Sequence, residues 1–103
     1  MSDAFHAAEA RRVALDAAIV ARGPEDPGRD ALWLELEATL QERRRCVRDL
    51  ASTPAPTLSD AREKARIARL LLQPQLDGAG EEPELVRALA RSALDDLLAL
   101  GIA

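Results

Sequence analysis

Apolar residues recur every three or four positions along most of the chain, the period of an α-helix buried on one side. In the first stretch Phe5, Ala8, Leu15 and Ile19 keep this spacing, and Ala4, Ala18 and Ala21 widen the stripe. The pattern predicts a helix from Ser2 or Asp3 to about Arg22. Gly23 stands where a left-handed residue would end it, and Pro24 prevents continuation. Arg12 falls on the same seam, so its guanidinium must reach outward or find a carboxylate.

A second helix is predicted from Asp26-Pro27, with Asp30 as an alternative cap, to Ala51 or Ser52. Its seam reads Trp33, Leu36, Leu40, Val47 and Leu50, with Arg43 where an apolar residue is expected. Leu32, Trp33, Leu34 and Leu36 wrap most of the helix circumference, so one contact surface cannot bury them all. The prolines in Ser52-Thr53-Pro54-Ala55-Pro56 enforce an extended linker. Thr57 with Asp60 makes an acid-type capping box. The third helix, about 57–73, carries a stripe of Leu58, Ala61, Ala65, Ala68 and Leu72, with Ile67, Leu70 and Leu71 beside it. Pro74 ends it, and Asp77-Gly78-Ala79-Gly80 reads as a turn. The fourth, about 82–100, opens on Glu81-Glu82-Pro83-Glu84, acids suited to a helix N-terminus. Leu85, Val86, Leu89, Ala93, Leu97 and Leu100 form its apolar face, and Gly101 closes it with Ile102 placed to touch Leu97.

These elements imply an all-α fold: a small up-down bundle of four helices in one domain spanning 1–103, its first two helices forming a long antiparallel hairpin. Its core is expected to include Leu15, Ile19, Trp33, Leu36, Leu40, Ala65, Leu72, Leu89, Ala93 and Leu97. Composition agrees. Ala occurs 21 times and Leu 17, against four Val, three Ile and three Thr, a helix-forming balance. Thirteen Arg stand against one Lys, a ratio that reads as codon bias and carries no function. No apolar run approaches the ~20 residues that cross a bilayer. Residues 1–6 carry an early acid and no apolar core, against the pattern of a secretory signal. Cys46 is the only cysteine, which suits a reducing cytoplasm.

The stretch Ala51-Ser52-Thr53-Pro54-Ala55-Pro56-Thr57-Leu58, followed by Ala61 and Lys64-Ala65, resembles a TPA-x-T-x-x-G-x-x-x-K-A segment of small helical bacterial proteins of unknown function. There too the segment joins a long Trp-bearing helix to an Ala-rich one. The resemblance implies a cytoplasmic, all-helical bacterial protein and brings no catalytic residues.

Little in the chain suggests chemistry. His6 and Glu9 have the i, i+3 spacing of helical metal ligands, but a di-metal bundle needs a second such pair and the chain has no second His. Cys46 lies among Arg43, Arg44, Arg45 and Arg48, yet near a helix C-terminus, and reads as a small buried hydrophobe. No nucleotide loop and no nucleophile–base set is present. The expectation is a protein that is not an enzyme and uses no cofactor or metal.

Charge is the feature above background. Residues 43–69 hold eight basic and three acidic side chains, net +5, leaving -9 on the rest of a chain of net charge -4. Arg62, Arg66 and Arg69 recur on one side of the third helix. With Arg43, Arg44, Arg45 and Arg48 they form a candidate patch for an anionic partner. The acidic net charge and the lack of an aromatic series weigh against nucleic acid. Leu34, Leu70, Leu71 and Leu98 fall outside the predicted seams and form a candidate self-association surface. The leading expectation is a self-associating, homodimeric interaction module; the alternative is a small regulator that binds nucleic acid or another polyanion.

Overall fold

Four helices form where the periodicity predicts them: α1 (Asp3–Ala21), α2 (Gly28–Ser52), α3 (Leu58–Leu72) and α4 (Pro83–Ala99). The structure, a computed structural model, describes residues 1–73 and 83–101, and among these there is no β-strand. Pro74, the predicted turn at 77–80, Glu81, Glu82 and Ile102 lie outside the described residues. The all-α bundle is therefore the fold, and every helix end lies within a residue or two of its predicted place. The chain divides into two compact units, Asp3–Arg45 and Cys46–Ala103, the latter together with Met1–Ser2.

The caps explain the boundaries. The last turn of α1 closes with Arg22 N–H donating to the Ile19 carbonyl at 3.2 Å. A β-turn follows, in which Asp26 N–H donates to the Gly23 carbonyl at 3.1 Å. Gly23 does not take the left-handed conformation expected of it, since Gly101 is the described residue with positive φ. The proline after Gly23 favours the first turn position, so the chain reverses through a turn instead of a glycine cap. Asp26 then starts α2: its carboxylate accepts from Gly28 N–H at 2.8 Å. Thr57 caps α3 in an extended conformation, its Oγ1 accepting from Asp60 N–H. The Asp60 carboxylate accepts in return from the Thr57 hydroxyl at 2.9 Å, not from its backbone. At the end of α4, Gly101 adopts φ 77°, the glycine-favouring region, with its N–H on the Leu98 carbonyl at 3.1 Å.

In the first unit, α1 and the first part of α2 run antiparallel. Leu15 and Ile19 pack with Leu36, and Leu32 and Leu40 lie against this cluster. The predicted seam of α2 holds at Leu36, Arg43, Val47 and Leu50, which are buried together with Thr39, whereas Trp33, expected in the core, is 48% exposed. In the second unit, Ile67, Ala68 and Leu71 of α3 and Val86, Leu89 and Ala93 of α4 are buried. The predicted α3 stripe holds at Ala61 and Ala68, but Lys64 and Leu71 are buried where Ala65 and Leu72 were expected. Leu72 is 62% exposed, whereas Leu71 is only 7% exposed. The cause is Lys64, which is buried on the seam and shares its side of the helix with Ala61, Ala68 and Leu71. Leu40, Ala65 and Leu97 are half-buried, and Leu100 is exposed.

Candidate interaction surfaces

Among the described residues three charged side chains are buried: Arg43 in the first unit, and Lys64 and Asp96 in the second. In the first, Arg43 is 4% exposed and donates from Nη1 to Glu9 Oε2 at 2.6 Å. The other Glu9 oxygen accepts from Arg12 Nε at 2.9 Å, and Arg12 Nη1 reaches Asp16 Oδ2 at 2.6 Å. The carboxylate that Arg12 needed is thus supplied from its own helix, one turn away on either side. Burial alone would raise the Glu9 carboxyl, but the hydrogen bonds and charges of Arg12 and Arg43 outweigh it and hold it below its ordinary 4.5. The Arg12 guanidinium is correspondingly held more firmly protonated, first by its hydrogen bond to Glu9.

In the second unit Lys64 is 1% exposed. Its ammonium donates to the Thr53 carbonyl at 2.6 Å, Ser92 Oγ at 2.7 Å and Asp96 Oδ2 at 2.7 Å. Three N–H bonds meet three acceptors, so this group binds the 53–57 linker, α3 and α4 together.

These placements change the predicted anionic-partner patch. Arg43 is not part of any exposed strip, because its guanidinium is spent on Glu9 inside the first unit. Lys64, counted among the basic residues of 43–69, is neutralised by Asp96. Arg44 is half-buried and Arg45 exposed beside Glu42 at 3.0 Å. Both belong to the first unit. Arg48, Arg62, Arg66 and Arg69 belong to the second and are exposed. Of these, Arg62, Arg66 and Arg69 share one side of α3, with Arg66 near Glu63 at 3.4 Å. The predicted self-association set changes likewise. Leu34, Leu70 and Leu98 are exposed, but Leu71 is a core residue of the second unit and cannot serve at a surface.

Two of the exposed leucines, Leu72 and Leu94, meet at a groove between α3 and α4. Ala65, Ala68, Ala90 and Ala93 make its floor, and Leu72 and Leu94 are its most exposed walls, around a volume of about 250 Å³. Small side chains on the floor let the walls stand proud. A second depression, of about 530 Å³, lies between α1 and α2 over Ala4, Ala7, Ala8 and Ala38, with Arg11 and Glu42 at its edges. Its edges carry opposite charges.

His6 packs its ring edge-on to Phe5 at 5.7 Å, while both oxygens of Glu9 face guanidinium groups. Among the described residues no three His, Cys, Asp or Glu side chains are grouped as metal ligands would be. Cys46 is buried. Among the described residues no helix is long and apolar enough to cross a membrane. The groove residues Leu72 and Leu94 escaped sequence reading because a stripe displaced by one position hides Leu72 in the expected core. No family model, curated protein or solved structure matches this chain.

Proposed function

We propose that the chain is a helical protein-interaction module that pairs with a second copy of itself and carries out no catalysis. The observation behind this reading is the group of large aliphatic side chains in water: Leu34, Leu72, Leu94 and Leu98 are each more than half exposed. One such leucine is ordinary on a monomer. Here Leu72 and Leu94 border a single apolar groove, and Leu98 follows Leu94 by one turn. Contiguous apolar surface of this kind marks an interface, and a homodimer is its commonest form. The lone Cys46 and the resemblance of residues 51–65 to small bacterial proteins support a bacterial cytoplasmic setting. Gel filtration with light scattering at micromolar concentration tests the reading. The parent chain is expected at about 22 kDa, twice its 11.1 kDa, and Leu98→Glu or Leu94→Glu at about 11 kDa. Variants that keep the parent mass would contradict it.

A second reading rests on one observation, the exposed strip of Arg62, Arg66 and Arg69 on α3. Such a strip suits a polyanion held by phosphate or sulfate contacts. Retention on heparin at low salt that disappears when Arg62 and Arg66 are both changed to Glu would favour it. A parent chain that runs straight through the column removes it.

A further inference from the structure

We propose that the α3–α4 groove of one copy receives the Trp33–Leu34 face of α2 from a second copy, and that each copy gives and receives this contact. The proposal rests on the self-association reading above and names its two surfaces.

The groove has a charge as well as a shape. Arg69 lines it directly. Arg62 lies two turns before Arg69 on the same side of α3, and Arg87 two turns before Leu94 on the same side of α4; both are exposed. The helical turn puts Glu63, Glu84 and Asp95 on the flanks of α3 and α4 that face away from the groove. Among the described residues the rim is therefore basic, around an apolar floor. Its occupant must be apolar at the centre and acidic at the edges. A volume of about 250 Å³ exceeds the roughly 150 Å³ in which a buried cavity holds benzene, so an indole has room.

The chain carries a surface with these properties. Asp30, Trp33, Leu34, Glu37 and Gln41 recur at i, i+3, i+4, i+7 and i+11 of α2, so they share one face, and all five are exposed. That face has a large aromatic and a leucine at its centre and a carboxylate on each side along the helix. Exposed tryptophan is costly surface, and Trp33 sits 48% in water. An amphipathic helix laid in an apolar groove, with acids against a basic rim, is a standard mode of recognition. Every copy has both the groove and the face; a pair that makes the contact twice closes as a dimer, whereas a contact that does not close builds larger assemblies.

Trp33 is the only tryptophan, so its fluorescence reports this contact alone. On raising the concentration of the full chain, its emission should shift to shorter wavelength and lose accessibility to acrylamide in step with the rise from about 11 to about 22 kDa. The specificity test is a charge exchange. Asp30→Arg with Glu37→Arg makes the α2 face basic against a basic groove. Arg62→Glu with Arg69→Glu makes the groove acidic against an acidic face. Each doubly changed chain should stay at about 11 kDa, and an equimolar mixture should recover the 22 kDa species with the Trp33 shift, since both contacts are then complementary again. A parent dimer whose Trp33 emission equals the monomer's would overturn this interface while leaving self-association standing. So would a mixture that stays monomeric, or changed chains that dimerise like the parent. A parent that is monomeric throughout, with Trp33 unaltered by concentration, would remove the self-association reading itself.

Discussion

Lys64 is the only lysine in a chain of thirteen arginines, and its position asks for that side chain. A compact ammonium directs three donors to three acceptors at 2.6–2.7 Å, and a planar guanidinium of fixed fork geometry cannot. Removing it leaves Asp96 buried without its partner. Lys64→Met is expected to destabilise the fold by about 3–5 kcal/mol, and Lys64→Arg to lower stability as well, whereas Lys64→Met with Asp96→Leu regains most of the loss. Urea unfolding of the three variants checks this; a single Lys64→Met as stable as the parent would show the cluster to be inert. Glu9 makes a pH prediction. Its folded pKa lies below its unfolded value near 4.5. The unfolded chain therefore takes up this proton first as pH falls. The stability Glu9 contributes is complete above about pH 4.5 and is lost as pH drops through the lower folded value. Urea midpoints should fall less between pH 6 and pH 3 in Glu9→Gln than in the parent; equal falls would contradict the network. The need of Arg12 for a carboxylate and the oddity of Arg43 on an apolar seam were legible in the sequence. Which carboxylate answers Arg43 was not, because Glu9 is 34 residues away in sequence and only folding brings it near.

Among the helices, the elements were legible and their rotation was not. Helix existence follows from a period that survives a few wrong residues, and the ends follow from Gly, Pro and capping side chains near the chain itself. Which residues face inward depends on the partner surface. On α3 the inward line includes Lys64, which a reading by apolar spacing sets outside, and the expected stripe moved onto Leu72. On α2 the spacing placed Arg43 on the seam and misplaced Trp33, which is 48% exposed. The rotation is measurable. With the chain held dilute, Leu89→Ala and Leu36→Ala should each cost about 2–5 kcal/mol, and Leu72→Ala within about 0.5 kcal/mol. Urea denaturation that ranks Leu72 with Leu89 would return the seam of α3 to its sequence-predicted place. On α4 Val86, Leu89 and Ala93 are buried as the pattern predicts, but the inward line continues through Asp96, and Leu100 of the predicted face is exposed.

At the scale of the whole molecule, a chain of 103 residues in two compact units has modest apolar burial to draw on. It nonetheless leaves Trp33, Leu34, Leu72, Leu94 and Leu98 in water. Pairing would cover what folding leaves bare, and would make stability depend on concentration. The excess of apolar surface was visible in the sequence at Leu34 and Leu98. The groove that gathers Leu72 and Leu94 appears only once the inward line of α3 is known. Sedimentation equilibrium of the unmodified chain across a dilution series from about 100 to about 1 μM tests the account most directly. It predicts a mass near 22 kDa at the upper end that falls toward the 11.1 kDa chain on dilution. A constant 11.1 kDa at every concentration would contradict it.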